Sequence, residues 1–272
     1  MKKRRVNRAE YKRLLPQLRD ELLDAQLQLR RDQTFALAVI VAGVPTAGRT
    51  ETVNELLEWF DPKHVSVRAF GKPDREDRQR PPMWRYWRAL PARGRVTFYF
   101  AGWYGEYMSH AMRDSARRRN GKKRDAETIR RLEEMLTANG VRVLKVYLTT
   151  DATTQRERLA KLSADKLTRW RVTEEDEWLA RHNGSVARAA HRCLKATNHD
   201  AAPWHVIDGT DEQHRLLSVG RLLRDELLAG LKQGQNKPAL SWPIESSAKV
   251  LKVLPARPAK VVNDEQYDVE LE

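Results

Sequence analysis

The stretch Gly43, Val44, Pro45, Thr46, Ala47, Gly48, Arg49, Thr50 pairs two glycines with a cation and a hydroxyl. At that spacing a glycine-rich loop wraps phosphate oxygens in its own backbone N–H groups. The glycines let the backbone turn inward, and a helix starting behind them adds partial positive charge. Arg49 stands where such loops carry lysine. Its planar fork can hold phosphate oxygens, but it is bulkier than an ammonium and follows a moving phosphoryl group less readily. On spacing alone, a strand-to-helix turn with no ligand fits the same residues equally well.

Chemistry at this loop requires a strand before it and a helix after it. Residues 34–43 are a continuous apolar run bounded by glycine, as in a buried parallel strand, and residues 50–60 follow as a helix. The pattern recurs with short apolar runs at 64–70, 95–100, 141–148 and 204–209, each separated by enough chain for helices. Helices are expected over 82–90, 125–139, 151–162, 173–196 and 211–232. Five strands alternating with helices imply an α/β fold with a parallel sheet covered on both faces and the loop at the carboxyl end of its central strand. Upstream, Leu14, Leu18, Leu22 and Leu29 recur at helical spacing over 9–31. Pro16 is expected near the first turn of that helix, because a deeper proline breaks it.

Across 272 residues, 51 Lys and Arg oppose 37 Asp and Glu, a formal charge of +14 that calls for a polyanionic partner. The lone cysteine, Cys193, excludes an internal disulfide framework and the usual structural zinc patterns, and is read as a small core residue. The longest apolar run, 35–44, is about half a membrane span, so a cytoplasmic protein is expected. His64, His182, His191, His199, His205 and His214 show no metal-binding spacing and are assigned no metal or acid–base role. Trp84, Trp87, Trp103 and Trp170 could stack a purine; core packing is the expectation for most of them.

Several blocks carry a resemblance: residues 42–62 around the loop, 70–96 with its Lys72-Pro73 pair, Gly102-Trp103-Tyr104, residues 167–176 with Arg169-Trp170, and 202–208. In this order, and over residues 9 to about 230, they resemble the polyphosphate kinase type 2 family, most closely the N-terminal unit of tandem polyphosphate:AMP phosphotransferases. The resemblance implies a P-loop kinase-like three-layer fold with a helical, basic lid. It also implies magnesium-dependent phosphoryl transfer between polyphosphate and AMP or ADP, and a second family unit or further copies of the chain as protein partners. Matched residue by residue, the phosphate-binding set is Gly43, Gly48, Arg49, Thr50, Lys72, Arg85 and Arg169. The basic run at 113–124 would supply the lid through Arg113, Arg117, Arg118, Arg119, Lys122 and Lys123; a solvated charged loop is its plainer reading. The expected organisation is a basic arm and amphipathic helix at 1–33, the kinase-like domain at 34–232 with its lid near 105–125, and an extended linker or tail at 233–272.

Two departures fall on the metal. The family carries aspartates where this chain has Pro45 and Phe100. Losing both carboxylates and the loop lysine removes more than the factor of about 10² to 10³ that one electrostatic contact supplies. The expectation is therefore a domain that binds polyphosphate or nucleotide with degraded catalysis, magnesium being doubtful. An active AMP-to-ADP phosphotransferase and a basic nucleic-acid-binding protein are the alternatives, the latter resting on charge alone.

Overall fold

A computed structural model describes residues 5–113 and 119–235. The elements are α1 (Arg8–Asp32), β1 (Ala36–Gly43), α2 (Arg49–Leu57), β2 (Val65–Ala69), α3 (Arg75–Gln79), α4 (Trp84–Trp87), β3 (Val96–Phe100), α5 (Gly105–Arg113), α6 (Arg119–Ala138), β4 (Val141–Thr149), α7 (Ala152–Ala164), α8 (Glu174–Arg181), α9 (Asn183–Thr197), β5 (Trp204–Asp208) and α10 (Glu212–Gln235). The strands form one parallel sheet in the order β2-β3-β1-β4-β5. Each strand falls on an apolar run expected from the sequence.

β1 is central and buried along nearly its whole length, which is why it reads as an unbroken run of Ala, Leu, Val and Ile rather than an alternating one. Along β4 the two faces are distinguished by polar residues three positions apart. Arg142 bonds Glu226 and Gln233 on α10, whereas Lys145 bonds Glu133 on α6 and the Thr197 carbonyl of α9. Alternation along a strand puts these on opposite faces, so α10 covers one face and α6 and α9 the other. α1 packs against α10, and α5 against α9.

Pro16 departs from its expected place. α1 begins at Arg8, capped by the Asn7 side chain on the Glu10 N–H, so Pro16 lies well inside the helix. A mid-helix proline costs about 3 kcal/mol. Beyond it Leu18, Leu22, Ala25 and Leu29 are buried, and each leucine returns roughly 1.5–3 kcal/mol, so tertiary packing outweighs the local penalty.

Three helical expectations are refined. The helix expected at 82–90 shortens to α4, preceded by the separate α3, because Pro81 and Pro82 interrupt the path. The helix expected at 173–196 breaks at His182 into α8 and α9. The basic run at 113–124 is entered and left by helix, with α5 ending at Arg113 and α6 starting at Arg119. α10 continues to Gln235, past the expected start of the tail, and residues 236–272 lie outside the described residues. Among the described residues no helix is long and apolar enough to cross a membrane.

Candidate functional site

All five strands run the same way, so their carboxyl ends share one edge. Register places Val41, Phe100 and Ala69 side by side there, and Gly43 beside Leu148. The loop of residues 43–50 leaves β1 at that edge. Gly43 has φ 152°, and a Cβ there would sit 2.2 Å from the Leu148 carbonyl oxygen, so only glycine permits this approach of β1 to β4. Gly48 has φ 90° and caps α2 with no side-chain bond, and since the Glu51 carboxylate takes its own backbone N–H, the N–H groups before it are the ones left for an external acceptor.

The loop is braced from behind. Arg158 on α7 donates to the carbonyls of Thr46 (2.9 Å), Gly209 (3.0 Å) and Thr210 (2.6 Å). Gln155 donates to the Pro45 carbonyl at 3.3 Å and is itself held by Asn183 at 2.6 Å. Arg215, almost fully buried, donates to Thr52 Oγ1 (2.7 Å) and the Gly209 carbonyl (3.1 Å), while Thr52 Oγ1 donates to the Gly48 carbonyl at 2.6 Å. Burial pulls the Arg215 guanidinium below its ordinary range, with Glu212 acting against it. Carbonyls tied back in this way leave the loop's turn and the α2 N-terminus as the anion-attracting edge. Arg158→Met removes three charge-assisted bonds and is expected to lower unfolding free energy by about 1.5–3 kcal/mol in urea denaturation.

Arg49 opens α2 and is half-buried. Burial depresses its guanidinium, and the carboxylates of Asp176 and Glu51 act against that. Near it lies the Tyr147 phenol, pushed up to about 12 by burial; its hydroxyl has no hydrogen-bond partner among the described residues. Thr50 and Lys72 are exposed. Arg85 is already engaged: it donates to the Gly71 carbonyl at 2.9 Å, lies 3.4 Å from Asp77 and 3.5 Å from Glu106, and its guanidinium covers the Phe70 and Tyr86 rings. It thereby fastens the Lys72 segment to the start of α5. Arg169 is exposed on a short 3₁₀ turn, Arg169–Arg171, whose other end reaches the loop helix: Arg171 bonds Glu51 in the first turn of α2 at 2.9 Å. Arg113, Arg119, Lys122 and Lys123 fall on helical backbone at the end of α5 and the start of α6, their side chains outside the described set. Arg117 and Arg118 lie outside the described residues.

The two positions where the resemblance expects carboxylates offer magnesium no side-chain ligand. Neither Pro45 nor Phe100 has a side-chain oxygen, and the Pro45 carbonyl is taken by Gln155. Phe100 ends β3, and Ala101 after it turns with φ 56° into Gly102–Tyr104. Among the described residues no group of three or more His, Cys, Asp or Glu side chains could hold a metal ion.

Sequence reasoning missed a buried polar cluster behind this edge. Trp103 Nε1 and Tyr104 OH donate to Glu133 Oε1 at 2.9 and 2.7 Å. Lys145 Nζ donates to Glu133 Oε2 at 2.7 Å, to Tyr104 OH at 3.1 Å and to the Thr197 carbonyl at 2.9 Å. His199 Nε2 lies 2.8 Å from Glu133 Oε2. Glu133 and Lys145 have no exposed surface. Burial pulls the Lys145 ammonium down, with Glu133 acting against it, and pushes the Tyr104 phenol well up. The signal available was Lys145 itself, one cation inside an otherwise apolar β4 core. Of the four tryptophans expected mostly in the core, only Trp103 is fully buried; Trp84 is half-buried, flanked by Arg80 and Arg88, and Trp87 and Trp170 are exposed.

Comparison with known proteins adds a family. The family model described as Polyphosphate kinase 2 matches residues 5–235. A polyphosphate:AMP phosphotransferase of Pseudomonas syringae pv. tomato is 36% identical over 229 residues, 82% of this chain and 45% of that protein. One from Pseudomonas aeruginosa is 32% identical over 244 residues, 89% of this chain and 49% of that protein. The chain thus spans about half the length of these relatives. The crystal structure of polyphosphate kinase 2 from Arthrobacter aurescens TC1 superposes with a TM-score of 0.76, covering 91% of this chain and 87% of that one at 23% identity, a likeness of fold.

Proposed function

The chain belongs to the polyphosphate kinase 2 family, and on that premise we propose that it binds polyphosphate and AMP or ADP at the loop 43–50 while its phosphoryl-transfer chemistry is degraded. The observation that carries this reading is a braced, glycine-turned phosphate loop whose two family carboxylate positions are Pro45 and Phe100. Binding and catalysis ask for different parts. An anion needs amide groups, a helix N-terminus and cations, which Gly43, Gly48, Arg49, Thr50, Lys72 and Arg169 supply, with Arg85 holding the Lys72 segment in place. In-line transfer further needs the charge on bridging oxygens neutralised and the reacting groups aligned. Without anchored carboxylates that second requirement fails.

In this reading residues 34–232 are the working domain; the basic run expected as its lid includes residues 114–118, which lie outside the described residues. Titration of the full chain with tripolyphosphate at rising salt tests the binding half. The expected result is binding that weakens steeply with salt as counterions are released, and weakens at least tenfold, about 1.4 kcal/mol, in Arg49→Ala. Binding indifferent to both salt and Arg49 contradicts the assignment of the loop.

A further inference from the structure

We propose that Trp170 is a stacking platform for the base of a nucleoside monophosphate whose phosphate sits at the loop, an inference that rests on the phosphate-site reading above. A tryptophan ordinarily buries a large apolar surface. Here the indole is 77% exposed, beside Leu167 at 81%. The ring is nonetheless fixed rather than merely left out. Its one donor, Nε1, bonds the Leu167 carbonyl at 2.8 Å, so the polar edge is satisfied and the apolar faces are what remain. The segment beneath is pinned as well: the Leu167 N–H bonds Asp165 at 2.8 Å, and Thr168 Oγ1 bonds the Leu162 carbonyl at 3.0 Å at the end of α7.

What directs this face to the site is the neighbouring ion pair. Arg171, one residue on, is bonded to Glu51 in the first turn of α2, the helix whose N-terminus faces the anion. Burial tends to raise the Glu51 carboxyl, but hydrogen bonds from its own backbone N–H and from Arg171 outweigh it and hold the group below its usual range, so the tether is charged at neutral pH. Downstream, the Thr173–Asp176 capping box starts α8 and presents Asp176 toward Arg49. The segment 165–176 is therefore attached to the loop helix at Glu51, and its Asp176 acts electrostatically on Arg49, with Trp170 one residue before the Arg171 tether in sequence. Arg169, exposed and one residue before the ring in sequence, remains a cation for the phosphate, so the indole supplies the base contact. Because every base has a π-face, such a platform favours a nucleotide over a bare phosphate while reading little base identity.

Calorimetric titration of the full chain with AMP, ribose 5-phosphate and tripolyphosphate tests this. The unmodified chain is expected to bind AMP about tenfold or more tightly than ribose 5-phosphate. Trp170→Ala should erase that preference and leave tripolyphosphate affinity unchanged, and Trp170→Phe should restore most of it. The exposed position makes both variants compatible with folding. Equal affinity of the unmodified chain for AMP and ribose 5-phosphate, or an unaltered preference in Trp170→Ala, overturns the platform while tripolyphosphate binding keeps the phosphate site standing. Absence of tripolyphosphate binding overturns both.

Discussion

Glu133→Leu is expected to lower the unfolding free energy by about 3–5 kcal/mol, the cost of stranding one partner of a buried ion pair. Against the 5–15 kcal/mol that typically separates folded from unfolded domains, this is a large fraction. The carboxylate accepts from Trp103, Tyr104 and Lys145 and lies against His199, so its removal leaves a buried ammonium, a phenol and an indole N–H with fewer partners. Lys145 keeps the Tyr104 hydroxyl and the Thr197 carbonyl as hydrogen-bond partners and the Tyr104 and Trp204 rings as cation–π neighbours. The double variant Glu133→Leu, Lys145→Met removes both charges and is expected to recover much of the loss. Urea denaturation of the three proteins checks this; a loss under about 1 kcal/mol in Glu133→Leu means the cluster is not the buried network described. The Trp103-Tyr104 pair that helped carry the family resemblance is thus fastened to α6 and β4, which explains a structural use for those aromatics independent of any ligand.

Phosphoryl transfer by the unmodified chain is expected at background, the second large effect. Each missing electrostatic contact is worth about 10² to 10³ in rate, and three are altered at Pro45, Arg49 and Phe100. Restoring Pro45→Asp, Phe100→Asp and Arg49→Lys together is expected to yield at most a trace of turnover, because the shell around them is built for other residues. Gln155 holds the Pro45 carbonyl, and Phe100 closes β3 between Val41 and Ala69 in register. A metal-binding carboxylate needs partners that orient it, and packing that suits proline and phenylalanine does not supply them. Turnover in the triple variant within tenfold of a typical kinase rate of about 1–100 s⁻¹ would show that the shell had been retained.

The sheet was legible because β1, β3 and β4 are buried along most of their length and read as apolar runs, with the shorter, partly exposed β2 and β5 at its edges, and because the glycine loop follows the first strand. What could not be read locally depends on distant partners. Arg158 and Arg215 brace the loop across 112 and 163 residues of chain, and nothing in their own neighbourhoods marks them among 51 basic residues. Pro16 was misplaced because local propensity argues against a proline that the buried Leu18, Leu22 and Leu29 make affordable. The break at His182 was hidden by helical spacing that continues on either side of it. Trp170 illustrates the converse: a residue type expected in the core stands outside, beside the equally exposed Leu167.

Coupled detection of ADP formed from AMP and polyphosphate in the presence of magnesium, run beside tripolyphosphate titration of the same unmodified chain, tests the central claim most directly. Tripolyphosphate should bind in a salt-sensitive manner while ADP production stays at the level of a protein-free control. Sustained magnesium-dependent ADP production would contradict the account and show that side chains other than those at positions 45 and 100 position the metal.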